Sequence, residues 1–330
     1  CLSSIGAFVA PNDFFNANLA NLDQLNGILP VIMLFFIPAI TMSIWAEEKR
    51  QGTDELLLTI PAGDFDIVIG KYLAAVSIFT VSLLFSQLTN YAVLNALTLG
   101  DLDTGLFLST YFGYWMIGLA MLALGMVASF LTSNLTIGFI LGAVFNMPLV
   151  AIMAAEAVIA DSDWAQAISY WSFSQQFGDF GRGVISSSSV TFFTMIVVVG
   201  IYLSMVLIGR RHWLGGRDGS SLLGHYLIRV ISLVVLTVGL NLLFARNDVI
   251  RMDMTDENVS SLSRDTRTLL DGLELERPIY IEAFISASLP EAYTKTKFDL
   301  ITLLNEFQAI GGGDVVVTIY DGLEAFSDEA

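Results

Sequence analysis

Apolar residues in this chain are gathered into blocks too long and too sparsely charged for the interior of a water-soluble domain, and this feature restricts its folds more than any other. A bilayer core of roughly 30 Å is crossed by about 20 apolar residues in a helix. Six blocks approach or exceed that length: approximately Ile28 to Trp45, Ile67 to Leu97, Gly105 to Leu131, Leu135 to Ala160, Val190 to Gly209 and Leu222 to Phe244. Hydrocarbon offers no partner to a backbone amide, so each block is predicted to satisfy its own hydrogen bonds as a helix. A composition of 55% hydrophobic and 14% charged residues agrees with that class.

Basic residues are retained on the cytoplasmic side of short loops. If the spans alternate, Lys49, Arg50, Lys71, Arg210, Arg211, Arg217 and Arg229 fall on one side. Arg182 alone falls on the other, with Asp13, Asp23, Asp101, Asp103, Asp161, Asp163 and Asp179. The side bearing Glu47 to Arg50 is therefore expected to be cytoplasmic, and everything from Arg246 onward to lie outside. No Lys or Arg precedes Lys49, so no signal-peptide pattern opens the sequence. Cys1 is the only cysteine, which excludes an internal disulfide and argues against a thiol-ligated metal. A lipidated Cys1 and an arbitrary chain start both stay open.

After the sixth block the pattern changes from continuous apolar runs to short periodic ones. Ser263 is placed to cap a short helix, RDTRTLLDGL, with Leu269, Leu270 and Leu273 as its stripe. Pro278 opens PIYIEAFIS, in which Ile279, Ile281, Ala283 and Ile285 alternate with Tyr280, Glu282 and Phe284 as in a strand. An amphipathic helix follows, roughly Ala292 to Ile310, ended by Gly311 to Gly313, and then a second strand, Asp314 to Tyr320. Strand, helix and strand predict a parallel βαβ unit. Two strands alone do not make a stable α/β domain, so this unit is expected to be part of a larger one. From Arg246 the tail carries 17 acidic against 7 basic residues, which argues against nucleic acid or anionic lipid as its partner.

The stretch from Trp45 to Ala75, WAEEKRQGTDELLLTIPAGDFDIVIGKYLAA, interleaves charge and apolarity on the expected cytoplasmic side. Glu47, Glu48, Lys49 and Arg50 stop the first span and Gly52 breaks it. Thr53 is placed to cap a short helix that begins Asp54-Glu55, and Leu56, Leu57 and Leu58 give it an apolar face before Pro61 and Gly63 end it. From the residues alone two readings stand: a helix lying at the membrane interface, or one whose leucines enter a groove on another protein.

The segment EEKRQGTDELLLTIP closely resembles the coupling-helix segment of ABC-2 type permeases, specifically the gliding-motility-associated (Gld) permease family. Glu47, Glu48, Lys49, Gly52, Thr53, Glu55, Leu56, Leu57, Leu58, Thr59 and Pro61 carry the resemblance, with Gly70-Lys71-Tyr72 at the start of the next span. YWSFSQQFGDFGRGVI, Tyr170 to Ile185, is similar to that family's outer segment before its last span, and the likeness covers roughly Leu19 to Gly209. The resemblance implies that residues 47–61 dock on a cytoplasmic ABC ATPase subunit. It also implies that ATP and Mg are bound by that partner, that a second permease half, as homodimer or heterodimer, completes the transporter, and that the membrane is the bacterial cytoplasmic (inner) one. The tail from Val249 to Ser286 looks like the start of the outward-facing auxiliary Gldg-type domain of the same system's partner subunit, through Asp253, Thr255, Ser261, Leu262, Ser263, Thr266 and Pro278. The two subunits would then be fused. That family's permease has a span before its first outer loop, and this sequence begins at about that loop.

The expected architecture is an α-helical polytopic membrane protein of about six transmembrane helices followed by part of an extracytoplasmic α/β domain. Its parts are an outer loop (1–27), a permease domain (28–209), a cytoplasmic join (210–221), an additional transmembrane helix (222–245) and the outer domain (246–330). No G-x-x-x-x-G-K-[ST] phosphate cradle occurs, and GGGD at Gly311 follows a helix and lacks the lysine, so the chain is expected to bind no cofactor of its own and to be no enzyme. His212 and His225 lack metal-pair spacing, so no metal site is expected. The serine run Ser186 to Ser189 has no histidine on its side and reads as a loop before a span.

Polar residues within the blocks are costly in lipid. Gln87, Asn90 and Tyr91 lie within about one turn of each other, and Asn146 lies in the fourth block beside Pro148, with Glu156 near its outer end. Gln87, Asn90, Tyr91 and Asn146 are candidates for a translocation path, whereas Glu156 is expected at the outer interface, where water reaches it; the competing reading for the former is interhelical hydrogen bonding, with Gly118, Gly125, Gly138 and Gly142 allowing close approach. Trp164, Tyr170, Trp171 and Phe173 read as a headgroup-level aromatic belt on a surface or re-entrant helix, or as a substrate contact. Mid-membrane charge is almost absent, against a secondary transporter or channel. A non-transporting anchor for an outer binding or scaffold domain is the alternative function.

Overall fold

The computed structural model describes residues 22–57, 61–97, 102–151, 171–209, 222–246, 251–255, 262, 266, 269–270, 278–286, 294–311 and 315–323. Two helices, α1 (Asp23–Thr41) and α2 (Ser43–Gln51), follow one another across Met42 and act as one rod from Leu25 to Gln51. The rod carries its charges Glu47 to Arg50 inside the helix, so the charged cluster does not end it. Gly52 does, at φ 69°, where an L side chain would be strained. Gly52 N–H bonds to Lys49 O at 3.4 Å and Thr53 N–H to Glu48 O at 3.0 Å, a Schellman termination.

One turn of helix, α3 (Asp54–Leu57), precedes α4 (Asp64–Leu97), α5 (Thr104–Phe130) and α6 (Leu135–Ala151). Helix α7 (Phe173–Gly181), strand β1 (Val184–Ser186), and helices α8 (Ser187–Gly209) and α9 (Leu222–Arg246) follow. Among the described residues four helices are long and apolar enough to cross a membrane: Leu25–Gln51, α4, α5 and α8. Leu135–Ala151 and, within α9, Ile228–Asn241 are shorter apolar stretches. The chain is a multi-pass, mostly helical membrane protein with a C-terminal region that contains strands.

Helix α5 is the axis of the bundle. Most residues from Phe107 to Phe130 are buried, and α1, α2, α4, α6, α7 and α8 all touch it. Its 27 residues, at about 1.5 Å each, give roughly 40 Å, enough to reach both faces of a bilayer. Without a hydrophobic drive between helices in lipid, close packing holds such a bundle, and small residues permit it. A Cβ on Gly118 would lie 2.1 Å from the Phe79 ring of α4, and one on Gly125 2.4 Å from Thr41 Oγ1 of α1. On α6, Gly138 faces the Met42 carbonyl and Gly142 faces Pro38. The four glycines are places where two helices approach closely. By contrast α4 exposes Leu73, Ile78, Val81, Leu84, Phe85 and Leu88, a side chemically suited to lipid.

The segment before α8 departs from expectation in two ways. Phe173, expected on an exposed surface or re-entrant helix, is buried against Phe192 and Phe193, and Phe177 and Phe180 are buried beside Tyr114 and Phe193. Helix α7 is pressed onto α5 at Gly113, where a Cβ would come within 2.6 Å of Phe177 and Phe180. The sequence points Phe173 outward because composition cannot distinguish an amphipathic surface helix from one folded inward. Trp164, Tyr170 and Glu156 lie outside the described residues. The serine run is not a loop: Ser186 ends β1, and its Oγ accepts the Ser189 N–H at 3.3 Å, capping α8.

Beyond α9 the chain forms β2 (Arg251–Asp253), β3 (Ile279–Ser286), α10 (Thr294–Gly311) and β4 (Val315–Leu323). β3 and β4 are parallel, in register from Ile279 opposite Val315 to Ile285 opposite Asp321, with α10 as the crossover packed on β4. The alternation in PIYIEAFIS and the helix before Gly311 therefore appear as read. Most of the short helix expected after Ser263 lies outside the described residues. β2 does not join this sheet. It pairs antiparallel with β1, Ser186 opposite Arg251 and Val184 opposite Asp253.

Candidate functional site

The sequence-nominated segment 47–61 begins on α2 and lies at the end of the bundle where α1, α4 and α5 converge. One side of it is held. Ser129 Oγ, near the end of α5, accepts the Trp45 and Ala46 N–H groups at 3.1 and 3.2 Å and donates to Met42 O at 3.0 Å. Trp45 is fully buried and meets the Phe130 ring edge-on at 5.0 Å. Lys49 Nζ donates to Phe130 O and lies 3.8 Å from that ring's centroid. Lys71, two turns into α4, donates to Ile44 O at 2.9 Å, pairs with Glu48 Oε1 at 2.5 Å and lies 4.7 Å from the Trp45 ring. Removed from bulk water, a cation over an aromatic face is worth about 2 kcal/mol. The segment is thus pinned to the ends of two spans at once.

Its other side faces outward. Glu47 accepts bonds from Arg50 at 2.6 Å and Gln51 at 2.5 Å along the exposed face of α2. Gly52 and Thr53 are exposed, and Thr53 Oγ1 donates to Glu48 O at 3.4 Å. In α3, which contains Asp54, Glu55, Leu56 and Leu57, the Leu56 side chain is 70% exposed whereas Leu57 packs against the core. Pro61 is exposed, and Leu58 lies outside the described residues. Sequence reasoning nominated this segment but missed its anchors, Ser129 and Phe130. They lie more than 80 residues away, at the end of an apolar run in which no local pattern sets them apart.

The polar residues of the spans do not form one cluster. Asn90 is buried and donates to Tyr111 Oη of α5 at 2.8 Å, while its neighbour Tyr91 is partly exposed and contacts Phe107. Gln87 is half-buried. Asn146 lies on α6, where its amide donates to Gly142 O at 2.8 Å and Met121 O at 3.4 Å. Tyr114 Oη donates to Asn26 at 2.6 Å and Trp115 Nε1 to Thr80 at 3.0 Å, two further ties between helices. A double-mutant cycle of Asn90→Ala and Tyr111→Phe is expected to give a coupling of about 0.6 to 1.7 kcal/mol in stability, the range for such bonds in membranes. Thermal unfolding in detergent reads it; additive losses would mean the bond holds nothing.

At the opposite end of α5 lies a second polar cluster. Asp103 caps α5, accepting the Leu106 N–H at 2.8 Å. Asp179 on α7 pairs with Arg182 at 2.7 Å and with Arg251 at 3.2 Å, and Arg251 also pairs with Glu306 at 2.8 Å. Burial raises the Asp179 carboxyl, but Arg251 and Arg182 outweigh it and hold the group below the usual aspartate range. Among the described residues no group of three metal-ligating side chains occurs.

A helical bundle of membrane-crossing length, with a charged, outward-facing segment braced on two spans at one end and a strand-paired polar cluster at the other, defines a multi-pass membrane protein of the permease class. The chain belongs to the ABC-2 transporter family: the family described as ABC-2 family transporter protein matches residues 7–246. It is therefore a membrane permease subunit of an ABC transporter. A second family, described as Domain of unknown function (DUF7088), matches residues 256–330. No curated protein and no solved structure matches.

Proposed function

We propose that this chain is one half of an ABC-2 type transporter, and that residues 47–61 are the coupling element on which a separate cytoplasmic ATPase, carrying ATP and Mg, docks. The observation that carries the reading is the two-sidedness of the segment. Leu56 and the Glu47–Arg50 face are presented outward, while Trp45, Lys49 and Glu48 tie the same segment to the ends of α4 and α5. A push received on the outer side reaches two spans without passing through a flexible linker. A second permease half, identical or not, completes the path, and Gln87, Asn90, Tyr91 and Asn146 are its candidate lining. The segment's resemblance supports the gliding-motility-associated branch, working in export or mechanical work at the bacterial inner membrane. The tail's resemblance supports a fused auxiliary domain outside, from about residue 246.

The test is capture of an ATP-hydrolysing partner from native membranes by the intact chain and by Glu55→Lys with Leu56→Asp. Leu56 is chosen over Leu57 because Leu57 packs on the core and its loss would perturb the fold. Captured ATPase activity is expected to fall by tenfold or more, about 1.4 kcal/mol or beyond, with the size-exclusion profile unchanged. Absence of an ATPase partner with either chain would overturn the reading in favour of a non-transporting membrane anchor.

A further inference from the structure

The transporter reading leaves unused the cluster at the far end of α5, where three elements distant in sequence meet on one side chain. Arg251, the first residue of β2, reaches Asp179 of α7 with both terminal nitrogens, at 3.2 and 3.3 Å, and Glu306 of α10 at 2.8 Å. The Arg251 side chain is 8% exposed and Glu306 is 3% exposed. A planar guanidinium suits two carboxylates at fixed angles, and a buried charge that loses a partner is strongly penalised, so this three-way contact resists separation.

The segment that carries Arg251 is held from further directions. β2 pairs with β1 over three residues, and Met254 N–H continues the ladder to Gly183 O at 2.9 Å. Gly183 has φ 85° and its α-carbon faces the Thr255 methyl, so the turn closes directly against the segment. Gly105, in the first turn of α5, lies so close to Met254 that a Cβ there would be 1.5 Å from its carbonyl oxygen. Asp253 Oδ1 accepts from Thr255 N–H and Oγ1, at 2.9 and 2.6 Å, which stiffens the turn that follows. On the other side, α10 packs on β4, which pairs with β3. A continuous packed route therefore runs from the first turn of α5 and from α7, β1 and α8, through residues 251–255 and Arg251, to Glu306 and the βαβ unit.

We propose that residues 251–255, with Arg251 as the pin, are a rigid joint that carries movement of the spans to the C-terminal α/β unit. A passive tether would need only a covalent connection after α9. This segment instead spends backbone pairing, two close glycine contacts and a buried guanidinium on fixing the unit to the permease end. The inference rests on the transporter reading for the source of the motion. The stiffness of the joint does not.

Spin labels at two exposed positions, Thr104→Cys at the start of α5 and Gln308→Cys on α10, in the full chain with Cys1→Ser and reconstituted in nanodiscs, measure the joint by pulsed dipolar distance. A single narrow distance distribution is expected, unchanged between nucleotide-free membranes and the ATP-trapped complex with the ATPase. Arg251→Ala is expected to abolish the narrow peak. Arg251→Lys keeps the charge but cannot fork between Asp179 and Glu306, and is expected to broaden it less. A broad distribution in the parent chain, a distance that shifts with nucleotide, or a narrow peak retained in Arg251→Ala would each overturn the joint. The nucleotide-free measurement needs no ATPase, so failure of the joint and failure of the docking reading are separable.

Discussion

Replacing Trp45 by Ala is expected to cost about 3 to 5 kcal/mol of stability, the range for emptying a fully buried aromatic site, and to loosen the coupling segment from α5. The indole is fully buried, edge-on to Phe130 at 5.0 Å, with the Lys71 ammonium 4.7 Å from its centroid. Its loss removes the surface on which both Lys71 and Phe130 rest, and leaves Glu48 and Lys71 bonded across a void. Trp45→Phe is the informative control. The indole Nε1 is buried with no hydrogen-bond partner among the described residues, so the phenyl ring forfeits no bond and retains an aromatic face for Lys71. Its cost is expected to stay well below that of Trp45→Ala, because the phenyl ring leaves only part of the indole's volume empty. Heat-step survival of the monodisperse peak on size exclusion, in detergent, separates the two. If Trp45→Ala survives as well as the parent, the braces between segment 47–61 and α5 are not what hold it.

The second large effect is expected from one methyl group. Gly105→Ala places a carbon where the Met254 carbonyl oxygen already lies, 1.5 Å from it, with the Met254 carbonyl carbon at 2.6 Å and the Thr255 nitrogen at 3.4 Å. The obstructing atoms are backbone, so no rotamer change relieves the overlap and either α5 or the 251–255 segment must move. Overpacking of this kind costs typically about 1 to 3 kcal/mol. The nearest way to relieve it is withdrawal of residues 251–255 from the bundle. Faster hydrogen exchange at the β1–β2 ladder is expected, with exchange in the middle of α5 unchanged. Equal protection of the ladder in the variant and the parent would show that the close approach is not maintained in solution. Gly27 serves as the matched control, since a methyl group added there meets none of the described residues within 4 Å.

Much of the helical plan was legible because membrane insertion is written in local composition. The run from Ile67 to Leu97 and the helix Asp64–Leu97 differ only at the start, and Gly105 to Leu131 and Thr104–Phe130 differ by one residue at each end. Strand alternation in PIYIEAFIS and the glycines after the amphipathic helix likewise placed β3, α10 and the parallel β4, since a period of two and a helix stop are properties of a few consecutive residues. Less was legible where burial depends on a neighbour from elsewhere in the chain. Phe173, Phe177 and Phe180 have the spacing of an amphipathic helix, and their inward turn depends on distant neighbours, Gly113 of α5 for Phe177 and Phe180 and Phe192 and Phe193 of α8 for Phe173. The serine run looked like a loop because its role as cap and strand end depends on β2, which arrives from beyond α9.

At the candidate site the division is similar. The spacing of charge, glycine and leucine from Glu47 to Pro61 singled out that segment, since a helix end, a turn and a short apolar face are local statements. Its bracing by Ser129, Phe130 and Lys71, and the pinning of Arg251 between Asp179 and Glu306, belong to the tertiary structure alone. By itself the sequence determined that this chain crosses a bilayer repeatedly and ends in an α/β unit, because the transfer of apolar side chains from water and the need to satisfy backbone amides act residue by residue. Which polar groups meet was decided only by packing, because a hydrogen bond or ion pair between residues roughly 20 to 90 apart exists only after helices have closed on one another, at distances that the glycines of α5 and α6 permit.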